Sequence, residues 1–444
     1  MTSSSHSLIS RRSGALKSAL VLPGDKSISH RAVMLGGIAE GDTVIEGLLE
    51  GEDVLHTVAA LQALGAKIHK DEKGSWHIKG AGLEGLGQPK QTLDMGNSGT
   101  SARLLIGLLS SRPFTSAFTG DASLCKRPME RIITPLTQMG AQFVSEKDRL
   151  PLKVTGGSNP QSITYTLPVA SAQVKSAILL AGLGASGVTT VIEAVPTRDH
   201  SEHMLRAFGV KLTIEKQSGG AEAISVSGQV RLRGRKVTVP ADPSSAAFPL
   251  VAALLRPGSH ITLGGVGLNP RRAGLIETLC EMGARITIHN QREEGGEPVG
   301  DLTVDGSELK GITVPAVRAP SMIDEYPVLA MAAACAQGTT RMCGLGELRV
   351  KESDRLTLVA EGLKDCGADV EIEGDDLIVT GAGEPPPGGA QIVTAMDHRI
   401  AMSFLVLGAA TAEPIKIDDG SFIATSFPGF VETMNRAGMR IELA

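Results

Sequence analysis

The chain has 444 residues, a formal net charge of -5, and 42% hydrophobic but only 3% aromatic residues. A mean hydropathy of +0.07 excludes an extensively disordered chain, and no apolar run approaches the ~20 residues that cross a bilayer. Because the chain is acidic and poor in aromatic rings, it lacks the basic face and stacking platform of a nucleic-acid-binding protein. Glycine, at 53 residues, exceeds its usual share of about 7%.

Cysteine usage points to a reducing compartment. The five cysteines are an odd number and form no CxxC pair, so we expect buried free thiols rather than disulfides or a structural zinc site. The first twenty residues contain no apolar targeting core, and a frayed terminus is expected there. The sequence therefore predicts a cytoplasmic protein without a membrane anchor.

A repeat organises the whole chain. An apolar residue is followed by Gly four positions later and by another apolar residue after three more. The six copies are LQALGAKI (61–68), LTQMGAQF (136–143), LRAFGVKL (205–212), LCEMGARI (279–286), LKDCGADV (363–370) and MNRAGMRI (434–441). Each copy predicts a helix that ends on a left-handed glycine and leads directly into a strand.

A second pattern alternates with the first. Six polar starts each precede a helix of small apolar residues, a turn and a β-branched strand, which predicts an α/β fold. These starts are DKSISHR (25–31), GNSGTSAR (96–103), ASAQVKS (170–176), ADPSSAA (241–247), MIDEYP (322–327) and MDHRIAM (396–402). Ordinary N-capping explains their Ser, Asp and Asn residues.

Capping does not explain the cations in or near these first turns, which are Lys26, Arg31, Arg103, Lys175 and Arg399. The helix macrodipole disfavours a cation at a helix N-terminus unless an anion is present. Helix N-termini that carry cations therefore predict an anion site. Lys26, Ser27 and Arg31 suit phosphate or carboxylate binding at a strand-to-helix turn, or form a basic surface turn.

The segment LRVKESDRL (348–356) concentrates further charge. Lys351 and Arg355 are four residues apart, so they are predicted to share one helical face. Glu352, flanked by these cations, fits either a surface ion network or a group that transfers protons. Two other motifs do not indicate a function. GAGLEG (80–85) matches a dinucleotide-binding loop, but no helix is predicted to follow it. HSEH (200–203) has the spacing of two metal ligands but no third ligand, so it predicts an exposed helix start.

Eight segments together resemble one family. They are PGDKSISHR (23–31), GNSGTSARL (96–104), GDASLCKRPM (120–129), PVASAQVKSA (168–177), TRDHSE (197–202), SMIDEYP (321–327), RVKESDRL (349–356) and DHRIAMSF (397–404). From about residue 15 to its end the chain resembles the 5-enolpyruvylshikimate-3-phosphate (EPSP) synthases, and among them the bacterial class II branch.

The resemblance implies a two-domain inside-out α/β barrel built from six βαβαββ repeats, three in each domain. Domain one would comprise residues 24–240, and domain two residues 1–23 and 241–444, with two crossovers between them. Enzymes of this family close their domains on substrate, which excludes water from the site.

The implied reaction, the sixth step of the shikimate pathway, transfers the enolpyruvyl group of phosphoenolpyruvate to the 5-hydroxyl of shikimate 3-phosphate. It proceeds by addition and elimination, releases phosphate, and uses neither a metal nor an organic cofactor. The implied partners are these small molecules alone, and the implied state is a monomer that binds neither nucleic acid nor membrane.

The resemblance also assigns residues by motif. The shikimate 3-phosphate contacts would be Lys26, Ser27, Arg31, Ser171, Ala172, Gln173, Arg198, Asp324 and Lys351. The phosphoenolpyruvate contacts would be Lys26, Asn97, Gly99, Thr100, Arg127, Gln173, Arg355 and Arg399. Asp324 would accept the hydroxyl proton, and Glu352, assisted by Lys26, would move the proton at the methylene carbon.

Departures from the family pattern bear on class and inhibition. Class I members carry a lysine in the segment that corresponds to ATSFPGF (424–430), and this chain has none there. Some glyphosate-tolerant class II members have Ala where this chain has Gly99, so ordinary glyphosate sensitivity is expected.

Two alternatives remain. The UDP-N-acetylglucosamine enolpyruvyl transferases share the fold and the co-substrate, but they place a reactive Cys where this chain has Ala122, and an Asn where it has Ser27. A non-enzymatic repeat scaffold is the other alternative. The intact set of Lys26, Asp324, Glu352 and Arg399 favours an enzyme over it.

Overall fold

The computed structural model describes residues 6–444 and divides the chain into two compact units. Unit 1 comprises the chain up to Asp25 together with Pro240–Glu293 and Pro298–Ala444, and unit 2 comprises Lys26–Val239 and Glu294–Glu297. The chain thus enters unit 2 twice, the second time with only four residues.

Six four-stranded sheets with one common topology account for the strands of residues 6–444. In each sheet the first two strands in sheet order are parallel, and the second and third are antiparallel. The sheets of unit 2, in sheet order, are Lys236–Thr238 (β14), Asp42–Glu46 (β3), Trp76–Lys79 (β5) and Lys67–Lys70 (β4); Leu93–Asp94 (β6), Thr115–Thr119 (β7), Leu152–Thr155 (β9) and Gln142–Ser145 (β8); and Thr164–Thr166 (β10), Val188–Glu193 (β11), Glu222–Ser227 (β13) and Leu212–Lys216 (β12).

Unit 1 repeats this arrangement, apart from the hairpin tip at 294–297. Its sheets are Lys17–Leu20 (β2), His260–Gly267 (β15), Glu297–Asp305 (β17) and Arg285–Glu294 (β16); Thr313–Val314 (β18), Gln337–Met342 (β19), Asp376–Ala382 (β21) and Asp369–Glu373 (β20); and Gln391–Ile392 (β22), Ile415–Ile417 (β23), Leu8–Arg11 (β1) and Arg440–Leu443 (β24).

Two helices alternate with the strands of each repeat, and unit 1 has an additional helix of four residues. Those of unit 2 are Lys26–Ile38 (α1), Glu52–Ala63 (α2), Gly99–Leu109 (α3), Glu130–Gln138 (α4), Ala172–Gly182 (α5) and His200–Ala207 (α6). Those of unit 1 are Pro243–Leu254 (α7), Gly274–Glu281 (α8), Ala319–Met322 (α9), Tyr326–Cys335 (α10), Arg355–Asp365 (α11), His398–Gly408 (α12) and Phe430–Ala437 (α13). The order β6, α3, β7, α4, β8, β9 shows the βαβαββ unit directly, so the predicted α/β fold of six such repeats is confirmed. Within residues 6–444, none of the helices is both long and apolar enough to span a membrane.

The repeat glycines end helices as predicted. Their φ angles lie between +82° at Gly367 and +114° at Gly438, and the other four fall within this range. A side chain disfavours this left-handed conformation, which glycine adopts freely. The prediction that each copy turns from a helix into a strand is therefore confirmed.

Three nearly fully buried helices form the centre of each unit. In unit 2 these are α1, α3 and α5, and in unit 1 they are α7, α10 and α12. Small residues allow the close approach: a methyl group at Gly107 of α3 would lie 2.4 Å from the Ala177 carbonyl oxygen of α5. The first turns of α1, α3, α5 and α12 carry several of the predicted site residues.

Two expectations drawn from the sequence, a frayed N-terminal segment and buried cysteines, are wrong in part. The terminus is not frayed from Leu8 onward, because β1 pairs with β23 and β24 and β2 pairs with β15, and these pairings complete two sheets; residues 1–5 lie outside the described chain. The cysteines are free, but Cys366 alone is fully buried, and Cys280 is exposed.

Candidate active site

Serine side chains cap two of the central helices of unit 2. Ser98 accepts a hydrogen bond from the Ser101 amide at the start of α3 (3.1 Å), and Ser171 accepts one from the Val174 amide at the start of α5 (3.4 Å). The capping interpretation is thus correct for these two starts. The cations that follow these two caps, Arg103 and Lys175, contact other side chains.

Lys26 and Arg31, both on α1, are held in different ways. The Lys26 ammonium forms an ion pair with the buried Asp53 carboxylate in the first turn of α2. The Arg31 guanidinium is buried and donates to the hydroxyls of Ser201 (2.7 Å) and Ser176 (3.0 Å). These two hydroxyls fix the orientation of the Arg31 guanidinium, a group whose paired donors suit it to bind an anion.

Four of the predicted phosphoenolpyruvate contacts of unit 2 form two hydrogen-bonded pairs. Arg127 donates to the Asn97 side-chain oxygen (2.7 Å), and Gln173 donates to the Thr100 hydroxyl (3.0 Å). Arg103 joins them, because its guanidinium donates to the Gln173 side-chain oxygen (2.7 Å). The sequence placed Arg103 in a first turn but omitted it from the site residues.

Gly99 lies against the guanidinium groups of this cluster. A methyl group at this position would stand 2.8 Å from Arg103 Nη1 and 3.2 Å from Arg127 Nη1. Both distances are closer than ordinary van der Waals contact. Glycine is therefore required here if both arginines are to keep their positions.

A buried histidine links the three helices that carry these groups. The His30 ring on α1 lies 2.8 Å from the Thr57 hydroxyl on α2 and 3.2 Å from the Ser101 hydroxyl on α3. Burial, with the charges of Lys26 and Arg31, holds the pKa of His30 well below its ordinary value. His30 is therefore a neutral connector; it lies within the motif PGDKSISHR, but the sequence assigned it no function.

Lys175 does not belong to the anion site that its first-turn position predicted. Its side chain is fully buried, and its ammonium lies 2.9 Å from a Glu193 carboxylate oxygen and 2.6 Å from one of Glu202. The ammonium also donates to the Thr197 carbonyl (3.4 Å), next to the predicted ligand Arg198. Lys175 thus stabilises the segment that carries Arg198.

His200 is buried, which contradicts the expected exposed helix start. Only 2% of its surface is accessible, and its Nδ1 lies 2.8 Å from the Glu297 carboxylate. Glu297 is one of the four residues by which the chain re-enters unit 2. The burial depends on a residue 97 positions away, which local sequence does not reveal.

Arg355 organises the predicted site residues of unit 1. Its buried guanidinium pairs with Asp397 (2.8 Å), with Glu352 (2.5 Å) and with Asp324 (3.2 Å). Burial acts to lower the pKa of Arg355, but the three carboxylates outweigh it and raise that pKa. One permanently charged group therefore fixes three carboxylates.

Asp397 has a second function as the N-cap of α12, where it accepts a hydrogen bond from the Arg399 amide (2.9 Å). Burial acts to raise the pKa of Asp397, but the adjacent Arg355 outweighs it and lowers that pKa. Arg399 in turn donates to the Asp324 carbonyl (3.1 Å). The first turn of α12 is thus tied to both Arg355 and Asp324.

Lys351 and Glu352 reach the cluster from outside a helix. The predicted shared helical face of Lys351 and Arg355 is wrong, because Asp354 caps α11 by accepting from the Thr357 amide and the helix begins only at Arg355. Lys351 still approaches the same group, with its ammonium 3.6 Å from Asp324. Glu352 keeps 20% of its side chain exposed.

Each unit therefore brings together its own part of the predicted set. Unit 2 groups Asn97, Thr100, Arg127 and Gln173, and unit 1 groups Asp324, Lys351, Glu352, Arg355 and Arg399. Within residues 6–444, no three His, Cys, Asp or Glu side chains are arranged to hold a metal ion.

Comparison with known proteins identifies the family. The model of the family described as EPSP synthase (3-phosphoshikimate 1-carboxyvinyltransferase) matches residues 10–434. The chain belongs to the EPSP synthase family. The 3-phosphoshikimate 1-carboxyvinyltransferases of Paramagnetospirillum magneticum and Rhodospirillum rubrum are 60% and 58% identical to it, in each case over 98% of both chains.

A solved structure agrees with this membership. The EPSP synthase of Acinetobacter baumannii superposes on the chain with a TM-score of 0.87 at 48% sequence identity, and the match covers 99% of each chain. The α/β fold described above is therefore the EPSP synthase fold over the whole chain.

Replacing Asp397 by Asn is expected to destabilise the protein by about 3 kcal/mol at pH 7, because it removes one of the charges that compensate buried Arg355. Since the native pKa of Asp397 is lowered, this stability is present above the ordinary Asp pKa of about 3.9 and is lost as the pH falls through the native pKa. Denaturant unfolding of both proteins as a function of pH measures the difference.

The control is Asp369→Asn, which neutralises an exposed carboxylate of β20. We expect the gap between wild type and Asp397→Asn to narrow on acidification, and the control to match wild type within about 0.5 kcal/mol. If the difference in free energy of unfolding between wild type and Asp397→Asn stayed constant down to pH 3, Asp397 would not be ionised in a pair with Arg355.

Proposed function

We propose that the protein is a 3-phosphoshikimate 1-carboxyvinyltransferase of the class II bacterial type. The observation that carries the proposal is the arrangement around Arg355, where Asp324 and Glu352 share one buried guanidinium. Two carboxylates held by a common cation can take up protons at two places in one reaction. The class II assignment is supported by the absence of a lysine from residues 424–430.

The proposed chemistry has two stages. Asp324 accepts the proton of the substrate 5-hydroxyl while the hydroxyl oxygen attacks C2 of phosphoenolpyruvate. Protonated Glu352 delivers its proton to the methylene carbon, which gives a tetrahedral ketal. Glu352, now a carboxylate, then takes a proton back from the new methyl group as the C–O bond to phosphate breaks and phosphate leaves. Lys26 assists as an acid or as a cation.

Charge complementarity supports the substrate pair. At neutral pH the two substrates bring roughly six negative charges, because each phosphate contributes up to two and each carboxylate one. The cations proposed to bind them are Lys26, Arg31, Arg127, Arg198, Lys351, Arg355 and Arg399. Arg31 donates to the hydroxyls of Ser201 and Ser176, and Arg127 donates to the Asn97 side-chain oxygen. These contacts orient two guanidinium groups, whose paired N–H donors match the geometry of a phosphate or carboxylate.

The remaining assignments are part of the same proposal. Ser27, Ser171, Ala172, Gln173, Arg198 and Lys351 contact shikimate 3-phosphate, and Gly99 with its neighbours contacts phosphoenolpyruvate. The domains are residues 24–240, and residues 1–23 with 241–444. The enzyme acts as a cytoplasmic monomer without a cofactor.

A phosphate-release assay tests the function. Purified protein with phosphoenolpyruvate is expected to release phosphate when shikimate 3-phosphate is the acceptor, and not when UDP-N-acetylglucosamine is. Glu352→Gln is expected to bind both substrates and to lose about 10³-fold in turnover, because the amide cannot move the methyl proton.

The matched control is Glu361→Gln, an exposed residue of α11, which is expected to keep wild-type turnover. If phosphate were released with UDP-N-acetylglucosamine as the acceptor and not with shikimate 3-phosphate, the protein would be the alternative enzyme, a UDP-N-acetylglucosamine enolpyruvyl transferase. Near-wild-type turnover of Glu352→Gln would remove that residue from the mechanism.

Glyphosate inhibition tests the environment of Gly99. We expect wild-type protein to be inhibited competitively with phosphoenolpyruvate, and Gly99→Ala to raise both the inhibition constant and the KM of phosphoenolpyruvate, because the methyl group displaces Arg103 and Arg127. Steady-state kinetics measures both constants. An inhibition constant that stays unchanged in Gly99→Ala would contradict the crowding argument.

A further inference from the structure

A second buried arginine lies in unit 1, outside the set that the family motifs indicate. Arg272 precedes α8 and is 3% exposed. Its guanidinium lies 3.2 Å from Asp242, 3.4 Å from Glu325 and 3.9 Å from Asp25. It also donates to the Ser244 hydroxyl (2.7 Å).

The three carboxylates are themselves buried, with exposures of 1% for Asp25, 3% for Asp242 and 2% for Glu325. Burial, followed by repulsion from Asp25, raises the pKa of Asp242 to about 6. Burial acts to lower the pKa of Arg272, but Glu325, Asp25 and Asp242 outweigh it and raise that pKa. This cluster therefore carries more negative than positive charge before Arg399 is counted.

Arg399 connects this cluster to the proposed site. Its Nη1 lies 3.5 Å from the same Glu325 oxygen that faces Arg272, and it donates to the carbonyl of Asp324. Glu325 is thus shared between a buried arginine and an arginine assigned to phosphoenolpyruvate. How strongly Glu325 attracts Arg399 depends on whether Arg272 is there to offset the Glu325 charge.

We propose that Arg272 is a positioning residue for phosphoenolpyruvate binding: by sharing the charge of Glu325, it leaves the Arg399 guanidinium available to the substrate. This inference rests on the proposed function, which assigns Arg399 to that substrate. Without Arg272, the buried carboxylates of Glu325 and Asp242 would act on Arg399 with no second guanidinium to offset their charge. Arg399 would be drawn toward Glu325, and an anionic substrate would have to compete with that carboxylate.

Steady-state kinetics of four variants tests the proposal. Arg272→Met keeps the apolar stem without the charge and is expected to raise the KM of phosphoenolpyruvate by about tenfold or more. The KM of shikimate 3-phosphate is expected to stay within about twofold of wild type. Arg272→Lys keeps the positive charge but lacks the paired N–H donors of a guanidinium group, so it should give an intermediate KM for phosphoenolpyruvate.

The decisive variant is the double substitution Arg272→Met with Glu325→Gln. Removing the carboxylate along with its partner should free Arg399, so the KM of phosphoenolpyruvate is expected to return to within about threefold of wild type. If Arg272 only stabilised the fold, the double variant would have lost two buried groups, and its KM for phosphoenolpyruvate would not recover. Glu325→Gln alone should not raise this KM, which keeps the proposal testable if Arg272→Met does not fold.

The control is Arg341→Met, which removes an arginine that is paired with two carboxylates on β20 and β21 and is 39% exposed; it should leave both KM values unchanged. Equal rises of both KM values in Arg272→Met, or no recovery in the double variant, would overturn the inference. If wild type released no phosphate with shikimate 3-phosphate, the proposed function would fail instead, so the two failures are distinguishable.

Discussion

The burial of Arg355 among three carboxylates is the interaction on which the proposed chemistry depends. A guanidinium removed from water must keep its partners, because losing one leaves an uncompensated charge in the interior. The partners come from different segments: Asp324 precedes α10, Glu352 precedes α11, and Asp397 caps α12. Arg355 therefore fixes three otherwise independent loops relative to one another, and so sets the distances over which protons would move.

The two units handle positive charge in different ways. In unit 1 the buried Arg272 and Arg355 are surrounded by carboxylates that compensate their charge. In unit 2 the described contacts of Arg31 and Arg127 include hydroxyl and amide groups, which orient the two guanidinium groups without consuming a carboxylate. Lys175 is the exception, since Glu193 and Glu202 neutralise it completely and confine it to a structural function.

Much of the fold could be predicted because its signals are local. The six repeat glycines mark helix ends through their own backbone conformation, and that conformation belongs to the residue rather than to distant contacts. Their spacing therefore revealed six units without knowledge of any tertiary pairing. The polar starts likewise predicted where the helices near the site residues begin, because N-capping is also a local signal.

The errors involve long-range partners. β1 is ordered by β23, about 400 positions along the chain, and the burial of His200 depends on Glu297. Lys175 looked like an anion ligand because its neutralising carboxylates are not in its own helix. Arg272 carries no motif at all, and only the folded chain brings it to Glu325. Sequence therefore locates charged residues on elements but does not decide which charges cancel.

The central claim is that the chain presents a cationic site for a phosphorylated acceptor. Isothermal titration of the wild-type protein with shikimate 3-phosphate, and separately with shikimate, tests it most directly. Charge-assisted contacts to the phosphate are expected to make shikimate 3-phosphate bind about 100-fold or more tightly than shikimate. Equal affinity for the two ligands would contradict the account, because the buried cations would then contribute nothing to recognition.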